Sequence, residues 1–276
     1  MKGDGVTALC AVLFPGCEPF LADYLTSIKE QTDQNFRLII LNDGAKVLDA
    51  ELIKNLSRYG LQVLSGSSSP ANSRVKLIDY CIRAKFKKII FSDADDVMAP
   101  NRVEIVASLL DTHDLVVNDL HLIAENGELI RSDVVSSRLG KQRVFEFEDL
   151  VEKNFCGMTN MSFLAPMSGE LIVPRHAVAV DWSIASQLLL NGRKGFFTSS
   201  TTTGYRQHSG NVVGIGHSHN FGKIDKVRKA HFEFLRATYP EEERVQIALA
   251  RDSEEALDSV GSTLCRGHEN KLWWER

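Results

Sequence analysis

Short apolar segments alternate with amphipathic ones along the first 115 residues, and this alternation restricts the chain to few folds. The segments Thr7–Phe14, Phe36–Leu41, Leu61–Leu64 and Lys88–Phe91 have the continuously apolar character of buried strands. The segments between them repeat their apolar residues at helical spacing. Such alternation predicts an α/β fold with a mainly parallel sheet covered on both faces. In sheets of this kind, ligands bind beyond the carboxyl ends of the strands.

Local signals place the ends of several of these helices. Pro19 suits the first turn of a helix, and Gly60 is placed to end the second one. Asn101 and Glu104 have the spacing of a capping box at the start of a fourth helix.

The pattern changes after about Leu115, where shorter strands and a hairpin replace the regular alternation. We expect a mixed sheet here, followed by a helical tail from about Gly222. The expected elements are a strand at Leu115–Asn118, a hairpin at His121–Ile130 turning at Asn126-Gly127, strands at Glu170–Pro174, Gly195–Thr198 and Tyr205–His208, and a helix at Asp181–Asn191 ended by Gly192.

Composition excludes several classes of protein. The 276 residues carry a formal net charge of −4, which argues against a nucleic-acid partner. The five cysteines are scattered without a C-x-x-C pair, so we expect a reducing cytosol and no zinc site. No apolar run is long enough to span a membrane, and no signal peptide is recognisable, which predicts a cytoplasmic protein. Lys271-Leu272-Trp273-Trp274 suits either a peripheral contact at the inner membrane or the buried end of a helix.

The acidic cluster Asp93-Ala94-Asp95-Asp96 follows the fourth predicted strand and has the strongest chemical implication. Like charges so close together repel, and a hard divalent cation such as Mg²⁺ or Mn²⁺ would offset them. The position at the ligand-binding end of the sheet favours a metal site. A polar loop with helix-capping aspartates is the alternative.

Two other acidic motifs resemble this cluster. A calcium-binding EF-hand loop starting at Asp93 fails, because Met98 stands where glycine is required and a strand precedes it. A haloacid-dehalogenase-like phosphohydrolase would use Asp93 as its nucleophile. That alternative is weaker, since those enzymes carry this motif on the first strand and need a later Gly-Asp pair.

Four segments together resemble a family 2 glycosyltransferase of the GT-A fold, over most of residues 8–214. They are Phe14-Pro15-Gly16, Leu41-Asn42-Asp43-Gly44-Ala45, Ser92-Asp93-Ala94-Asp95-Asp96 and Tyr205-Arg206-Gln207-His208-Ser209-Gly210-Asn211-Val212-Val213-Gly214. The last is similar to a segment of bacterial rhamnosyltransferase-like members. Each segment alone is a weak signal, whereas their order and spacing together are specific.

The resemblance implies a Rossmann-like nucleotide-binding half with a mainly parallel central sheet, then a mixed-sheet acceptor half. We therefore expect a GT-A domain at residues 1–216, divided into 1–98 and 99–216. A helical C-terminal extension would occupy residues 217–276.

The resemblance also implies which residues bind the nucleotide. Asp43 would accept the imide N–H of uracil or thymine, with Phe14 and Pro15 bordering the base. Arg74 matches a family arginine near the nucleotide, and Asp93 would reach the ribose. The local pattern alone also allows Asp43 to be a turn residue before a glycine, and Arg74 to be a solvated arginine on a helix face.

The implied metal ligands are Asp93, Asp95 and His208, with Asp95 as the main one. An imidazole ligand suits Mn²⁺ better than Mg²⁺. A structural role is the alternative for a lone histidine. His217 and His219 are interpreted as loop residues near the acceptor or the phosphates.

Asp181 corresponds to the aspartate that serves as catalytic base in family members. Valine precedes it here at Val180, where glutamate is common. Asp181 could instead be only the N-cap of its helix. Glu170 is the second candidate carboxylate for the base.

These assignments predict an inverting, metal-dependent glycosyltransferase that uses a UDP- or dTDP-sugar and a glycan or lipid-linked acceptor. Bacterial surface-polysaccharide assembly is the expected setting. The absence of a Gln-x-x-Arg-Trp segment argues against a processive synthase. A non-catalytic nucleotide-sugar-binding homologue remains an alternative, and the oligomeric state is not predicted.

Overall fold

The structure, a computed structural model, describes residues 7–66, 69–174, 177–211 and 221–261, together with Trp273 and Glu275. Several features singled out in the sequence lie outside these residues. They are the end of the rhamnosyltransferase-like segment at 212–214, His217, His219, Cys265 and Trp274.

Ten strands of the described residues form one sheet. The strands are β1 Thr7–Leu13, β2 Phe36–Asn42, β3 Gln62–Ser65, β4 Lys88–Asp93, β5 Val97–Met98, β6 Leu115–Ile123, β7 Leu129–Arg131, β8 Gln142–Phe145, β9 Met161–Leu164 and β10 Gly195–Arg206. Their order is β3-β2-β1-β4-β9-β6-β10-β5, with β7 paired to β6 and β8 paired to β10.

Helices cover the sheet and continue beyond it along the chain. They are α1 Leu21–Lys29, α2 Ala50–Leu56, α3 Pro70–Arg83, α4 Arg102–Leu109, α5 Ser136–Leu139, α6 Phe147–Glu152, α7 Val180–Leu190, α8 Phe221–Thr238 and α9 Glu243–Gly261, with short 3-10 helices at Glu18–Phe20 and Ser57–Tyr59. None of the helices in the described ranges combines the length and the apolar character that a membrane span requires.

The strand directions bring distant parts of the sequence to one edge of the sheet. β1, β2, β3 and β4 run parallel, with Leu13 opposite Asn42 and Val12 opposite Asp93. β9 is antiparallel to both β4 and β6, so β6 runs in the direction of β4. β10 is parallel to β6, and its end at Arg206 therefore lies at the same edge as the ends of β1, β2 and β4.

The sheet separates two apolar cores. Along β1, the side chains of Ala8, Cys10 and Val12 belong to one core, while those of Leu9 and Ala11 belong to the other. Helices α3 and α7 cover the first core, and helices α1, α2 and α4 cover the second. Both faces of the central strands are thus buried, which is why these strands are continuously apolar in the sequence.

The helices after residue 220 pack on the first core rather than standing apart. The fully buried guanidinium of Arg228 donates to Asp252 Oδ1 at 2.8 Å and to the carbonyl of Val151 at 2.9 Å. His231 stacks on Trp182 with 4.0 Å between ring centroids. The helix that carries Asp181 therefore has the C-terminal helices as its immediate neighbours.

Most predicted elements are present, and the differences have identifiable causes. The two strands expected at Gly195–Thr198 and Tyr205–His208 are one strand, β10, with a register shift against β6 between Thr198 and Thr202. The segment Glu170–Pro174 is not a strand. Its Glu170 forms an ion pair with Arg193 instead, at 2.8 Å.

The predicted capping box is wrong, because tertiary partners occupy both of its side chains. Asn101 is the N-cap residue of α4 but makes no capping hydrogen bond. Its amide donates to the carbonyl of Ser200 and accepts from the Thr201 hydroxyl. Glu104 accepts from the hydroxyl of Thr32 at 2.6 Å.

Candidate active site

The acidic cluster lies where the carboxyl end of β4 opens onto the edge of the sheet. Asp93 is the last residue of β4, and its Oδ1 accepts from the Arg74 guanidinium on α3 at 2.6 Å. Both side chains are mostly buried, with 23% and 14% of their surface exposed. Arg74, which is expected near the nucleotide, thus forms a direct ion pair with Asp93.

Asp95 and His208 meet although 113 residues separate them in the sequence. His208 Nε2 lies 3.0 Å from Asp95 Oδ2. His208 Nδ1 accepts from the backbone N–H of Gly210 at 3.1 Å, which leaves Nε2 to face the carboxylate. The ring of Phe20 packs against the imidazole with 4.7 Å between centroids. Backbone and aromatic contacts together fix the imidazole on the acidic cluster.

Asp96 ties the cluster to the end of β10. Its Oδ1 accepts the backbone N–H of Arg206 at 2.8 Å. The Arg206 guanidinium, which is 1% exposed, donates to the carbonyl of Asp95 and to Asp23 Oδ2, both at 2.8 Å. Asp96 therefore holds the acidic loop in place and does not cap α4, whose N-cap is Asn101.

Burial makes the negative charge of this cluster costly. Removal from water raises the pKa of Asp93, with Arg74 opposing this and the charge of Asp95 adding to it. Burial also raises the pKa of Asp96 well above its ordinary value, and the neighbouring carboxylates add to this. A cation beside these groups would stabilise their ionised forms.

Asp43 follows β2 and faces Ser73 on α3. Its Oδ2 accepts from the Ser73 hydroxyl at 3.1 Å. The turn itself is made by Asn42, whose Oδ1 accepts the N–H of Gly44 at 3.2 Å, and Gly44 has a positive φ of 103°. A Cβ at Gly66 would lie 2.2 Å from Asp43 Oδ1, so the backbone of this glycine packs directly on the carboxylate. Asn42 thus supplies a side-chain hydrogen bond within the turn, while the Asp43 carboxylate faces α3.

Asp181 is the second residue of α7, and the N-cap of this helix is Ala179. The interpretation of Asp181 as an N-cap is therefore wrong. Its Oδ1 accepts the backbone N–H of Trp182 at 2.7 Å, and the Trp182 indole donates to the carbonyl of Leu150. Burial raises the pKa of Asp181 to about 7, which the Trp182 hydrogen bond partly opposes. A carboxylate with such a pKa is suited to accept a proton near neutral pH.

One cavity of about 590 Å³ connects these residues. Its volume is within the range of small-molecule sites in proteins. The lining includes Phe14, Asp43, Arg74, Asp93, Asp95 and Asp181.

Three other sequence candidates lie outside the cavity lining. Pro15 is exposed and lies beside Gly44. His208 reaches the site through its contact with Asp95. Glu170 makes two hydrogen bonds to Arg193, which hold its pKa below the ordinary value although partial burial raises it.

The structure adds four lining residues to which the sequence assigned no role in ligand binding. They are Met158, Val180, Tyr205 and Trp273. Trp273 was interpreted as a membrane-facing or buried residue, and it is 5% exposed. Trp273 is far along the chain from every other site residue, so no sequence motif connects it with them.

The donors suit a divalent cation only together with ligands from a bound molecule. In the part of the chain that the structure describes, no three His, Cys, Asp or Glu side chains are arranged to hold an ion by themselves. Asp95 and His208 place one oxygen and one nitrogen in contact, a combination compatible with Mn²⁺ once Nε2 gives up the proton that it directs at Asp95 in this arrangement. Asp93 lies beside them but is paired with Arg74. The residues thus fit a cation whose coordination a diphosphate and water complete.

Solved structures with a similar fold include two of TarS from S. aureus and one of GalNAc-T7. TarS residues 1–349 in complex with UDP-GlcNAc match at 15% identity with a TM-score of 0.60, covering 84% of this chain and 66% of that one. The TarS complex with UDP matches at 13% identity and 0.59, covering 84% and 65%. GalNAc-T7 with UDP, GalNAc and Mn²⁺ matches at 13% identity and 0.57, covering 82% and 47%.

These likenesses confirm the predicted GT-A fold. The chain spans less than two thirds of the length of each of these structures. A search of curated proteins returns no significant match. The model of the family described as glycosyl transferase family 2 matches residues 12–167, which is more than half of the chain. The chain therefore belongs to glycosyl transferase family 2.

Proposed function

We propose that the protein is an inverting, metal-dependent glycosyltransferase that moves a sugar from a UDP- or dTDP-sugar to a glycan or lipid-linked acceptor. The observation that supports this most is the single cavity lined by Asp43, Asp93, Asp95 and Asp181. In this cavity, Asp43 is a hydrogen-bond acceptor suited to a nucleobase, Asp93 and Asp95 are carboxylates suited to a cation, and Asp181 is a carboxylate suited to proton removal. The family match favours this function over a phosphohydrolase that uses Asp93 as nucleophile.

The nucleotide would lie along the ends of β1, β2 and β4. Asp43 accepts the imide N–H of uracil or thymine, and the half-buried ring of Phe14 borders the base. The Ser73 hydroxyl and the backbone of Gly66 hold Asp43 in place for this contact. The structures of TarS with UDP and UDP-GlcNAc, and of GalNAc-T7 with UDP, support a uridine nucleotide as the first to test.

The diphosphate would lie beside Asp95 and His208, with Asp93 near the ribose. A bound Mn²⁺ or Mg²⁺ would stabilise the negative charge of the departing nucleoside diphosphate. Arg74 adds a positive charge next to Asp93. The Arg206 guanidinium donates a hydrogen bond to the backbone carbonyl of Asp95 and so fixes the position of that residue. Mn²⁺ in the structure of GalNAc-T7 supports this ion as the first choice.

Asp181 would act as the base. It takes the proton of the acceptor hydroxyl while the acceptor oxygen bonds to the anomeric carbon. The bond between that carbon and the phosphate oxygen breaks, and its electron pair leaves with the nucleoside diphosphate. Attack from the side opposite the leaving group inverts the anomeric configuration. The family's common glutamate before the base is absent, and Val180 in its place is buried at the cavity wall.

The test is release of nucleoside diphosphate from a panel of UDP- and dTDP-sugars, with Mn²⁺, with Mg²⁺ and with EDTA. We expect turnover that requires the metal and falls by about 100-fold or more in Asp95→Asn. Asp79→Asn is the matched control, because Asp79 is an exposed carboxylate on α3.

Three results would contradict the proposal. The first is an undiminished rate in Asp95→Asn or in EDTA, and the second is a trapped aspartyl-phosphate at Asp93. The third is metal-dependent UDP binding without transfer or hydrolysis of any donor, which would indicate the non-catalytic homologue. Assignment to the cytoplasm, a peripheral contact at the inner membrane and a role in bacterial surface-polysaccharide assembly belong to the same proposal.

A further inference from the structure

Trp273 closes one side of the cavity from a position far along the chain from the other lining residues. It is 5% exposed and lies directly on Gly157, where a Cβ would come within 2.4 Å of the indole. Its ring meets that of Tyr205 edge to face, with 5.3 Å between centroids and 84° between planes. Only a glycine at position 157 leaves room for this arrangement.

A buried ion pair holds the segment that carries Trp273. Glu275, two residues later, accepts from Arg138 Nη1 at 2.8 and 3.0 Å, and its side chain is 5% exposed. Arg138 belongs to α5. The start of α5 is itself held by Asp119 of β6, whose Oδ1 accepts the N–H groups of Val135 and Ser136. The indole is thus anchored to the sheet through a series of specific contacts.

The position of Trp273 along the sheet edge separates it from the nucleotide side. Phe14, Asp43 and Asp93 belong to the ends of β1, β2 and β4. Gly157 precedes β9 and Tyr205 belongs to β10, which lie on the other side of β4 in the strand order. Asp95 connects the two sides through its contact with His208 after β10. Trp273 therefore lines the end of the cavity farthest from Asp43 along the strand order.

Apolar side chains form part of the cavity lining. Met158 follows Gly157 in the chain and therefore lies at the Trp273 end, while Ala177 and Val180, the residue that precedes Asp181, line the same cavity. A pyranose ring presents a face of C–H groups that packs well on an indole, while its hydroxyl groups project from the rim. The half-buried carboxylate of Asp181 lies in the same cavity, where such a hydroxyl could transfer its proton.

We propose that Trp273, anchored by the Arg138–Glu275 ion pair, forms the wall of a subsite for a pyranose ring of the acceptor. This inference rests on the proposed function, since it assigns the acceptor to the end of the cavity that the nucleotide does not occupy. It selects a glycan acceptor over one recognised through its lipid part alone.

The experiment uses the full chain saturated with UDP and with Mg²⁺, which is diamagnetic and leaves the NMR signals of added glycosides intact; calorimetry of UDP uses Mn²⁺. The probes are the methyl α- and β-glycosides of glucose, galactose, N-acetylglucosamine, N-acetylgalactosamine and rhamnose. Saturation-transfer NMR reports which ring protons contact the protein, and calorimetry reports UDP affinity separately. The variants are Trp273→Ala and Trp273→Phe. The control is Phe196→Ala, which removes an aromatic ring of β10 that stacks on His113 instead.

We expect at least one glycoside to bind through the C–H protons of one ring face. Trp273→Ala should weaken that binding by about tenfold, whereas Trp273→Phe retains most of it. UDP affinity should stay unchanged in both variants. The double variant Arg138→Gln with Glu275→Gln should give an intermediate loss of glycoside affinity, because it loosens the segment without leaving a buried charge unpaired.

The outcomes separate this inference from the function on which it rests. Failure of the wild-type chain to bind UDP with Mn²⁺ would overturn the proposed function and this inference with it. UDP binding without binding of any glycoside, or glycoside binding unchanged by Trp273→Ala, would overturn the subsite alone. An equal loss of UDP affinity in Trp273→Ala would also overturn it, since the indole would then serve the nucleotide or the fold.

Discussion

Replacing Asp181 with asparagine separates its proposed role as a base from its role in the fold. The amide of Asp181→Asn keeps a side-chain oxygen that can accept the Trp182 N–H, a contact of 2.7 Å in the wild type, so the local structure should persist. The variant cannot accept a proton, and loss of a positioned base costs about 100- to 10,000-fold in rate. In the wild type, the rate should fall as the pH drops below about 7, where Asp181 becomes protonated.

The same substitution should increase stability at alkaline pH. Burial raises the pKa of Asp181 from the ordinary 3.8 to about 7, so the folded state binds this proton more tightly than the unfolded state does. The stabilisation from protonation is complete below the unfolded-state pKa and is lost as the pH rises through about 7. This rise in pKa corresponds to about 4 kcal/mol of stabilisation of the folded state by protonation, as an upper limit. Since the cavity admits some water to this side chain, we expect about 1 to 2 kcal/mol between pH 5 and pH 8.

Thermal unfolding at pH 5 and at pH 8 measures this difference in stability. At pH 8, Asp181→Asn should unfold roughly 3 to 6 °C above the wild type, because it has no charge to bury at this position. At pH 5 the two midpoints should lie closer together, and the remaining difference should disappear only below the unfolded-state pKa of 3.8. Asp79→Asn, which changes an exposed carboxylate on α3, should show no such dependence on pH. The transfer rates of the same preparations, measured from pH 5 to pH 9, complete the comparison.

Two results would refute this reasoning. If Asp181→Asn retains more than about a tenth of the wild-type rate, Asp181 is not the base. If the difference between the midpoints is the same at pH 5 and pH 8, burial does not raise the pKa of this carboxyl.

Three further predictions test the surroundings of the site. Gly66→Ala should weaken UDP binding by about tenfold or more, because the new Cβ would lie 2.2 Å from Asp43 Oδ1 and displace that carboxylate. If calorimetry shows an unchanged affinity for UDP, Asp43 does not bind the nucleobase. His208→Gln should raise the Mn²⁺ concentration for half-maximal activity by about tenfold or more, and an unchanged metal titration would exclude His208 as a ligand. Asp252→Asn should lower the free energy of unfolding by about 3 kcal/mol, because the Arg228 guanidinium is 1% exposed and would lose the charged carboxylate that Asp252 places 2.8 Å from its Nε; a change below about 1 kcal/mol in urea unfolding would contradict this.

The positions of the residues assigned to the nucleotide were predictable because they depend on parallel strands. Apolar runs located β1, β2 and β4, and parallel strands bring their carboxyl ends to one edge. The sequence alone therefore predicts that Phe14, Asp43 and Asp93 lie close together.

Other features depend on contacts that no local pattern encodes. Asp96 accepts a hydrogen bond from the backbone N–H of Arg206, which lies 110 residues later in the sequence. The acidic cluster alone therefore gives no indication that Asp96 links it to β10. The capping interpretation of Asp181 failed because α7 begins one residue earlier than predicted. Trp273 reaches the cavity only because Gly157 has no side chain and Arg138 fixes Glu275. Pairings of this kind follow from the complete fold.

Thermal shifts of the chain with nucleotides, measured with and without Mn²⁺, test the central claim most directly. The panel comprises UDP, dTDP, GDP, their sugar conjugates and inorganic phosphate. UDP or dTDP compounds at about 100 times their Kd should stabilise the chain by about 2.7 kcal/mol, which corresponds to several degrees, and only when Mn²⁺ is present. The shift should vanish in Asp95→Asn. An equal shift in EDTA, or a shift with inorganic phosphate but not with any nucleotide, would contradict a metal-dependent nucleotide-sugar site.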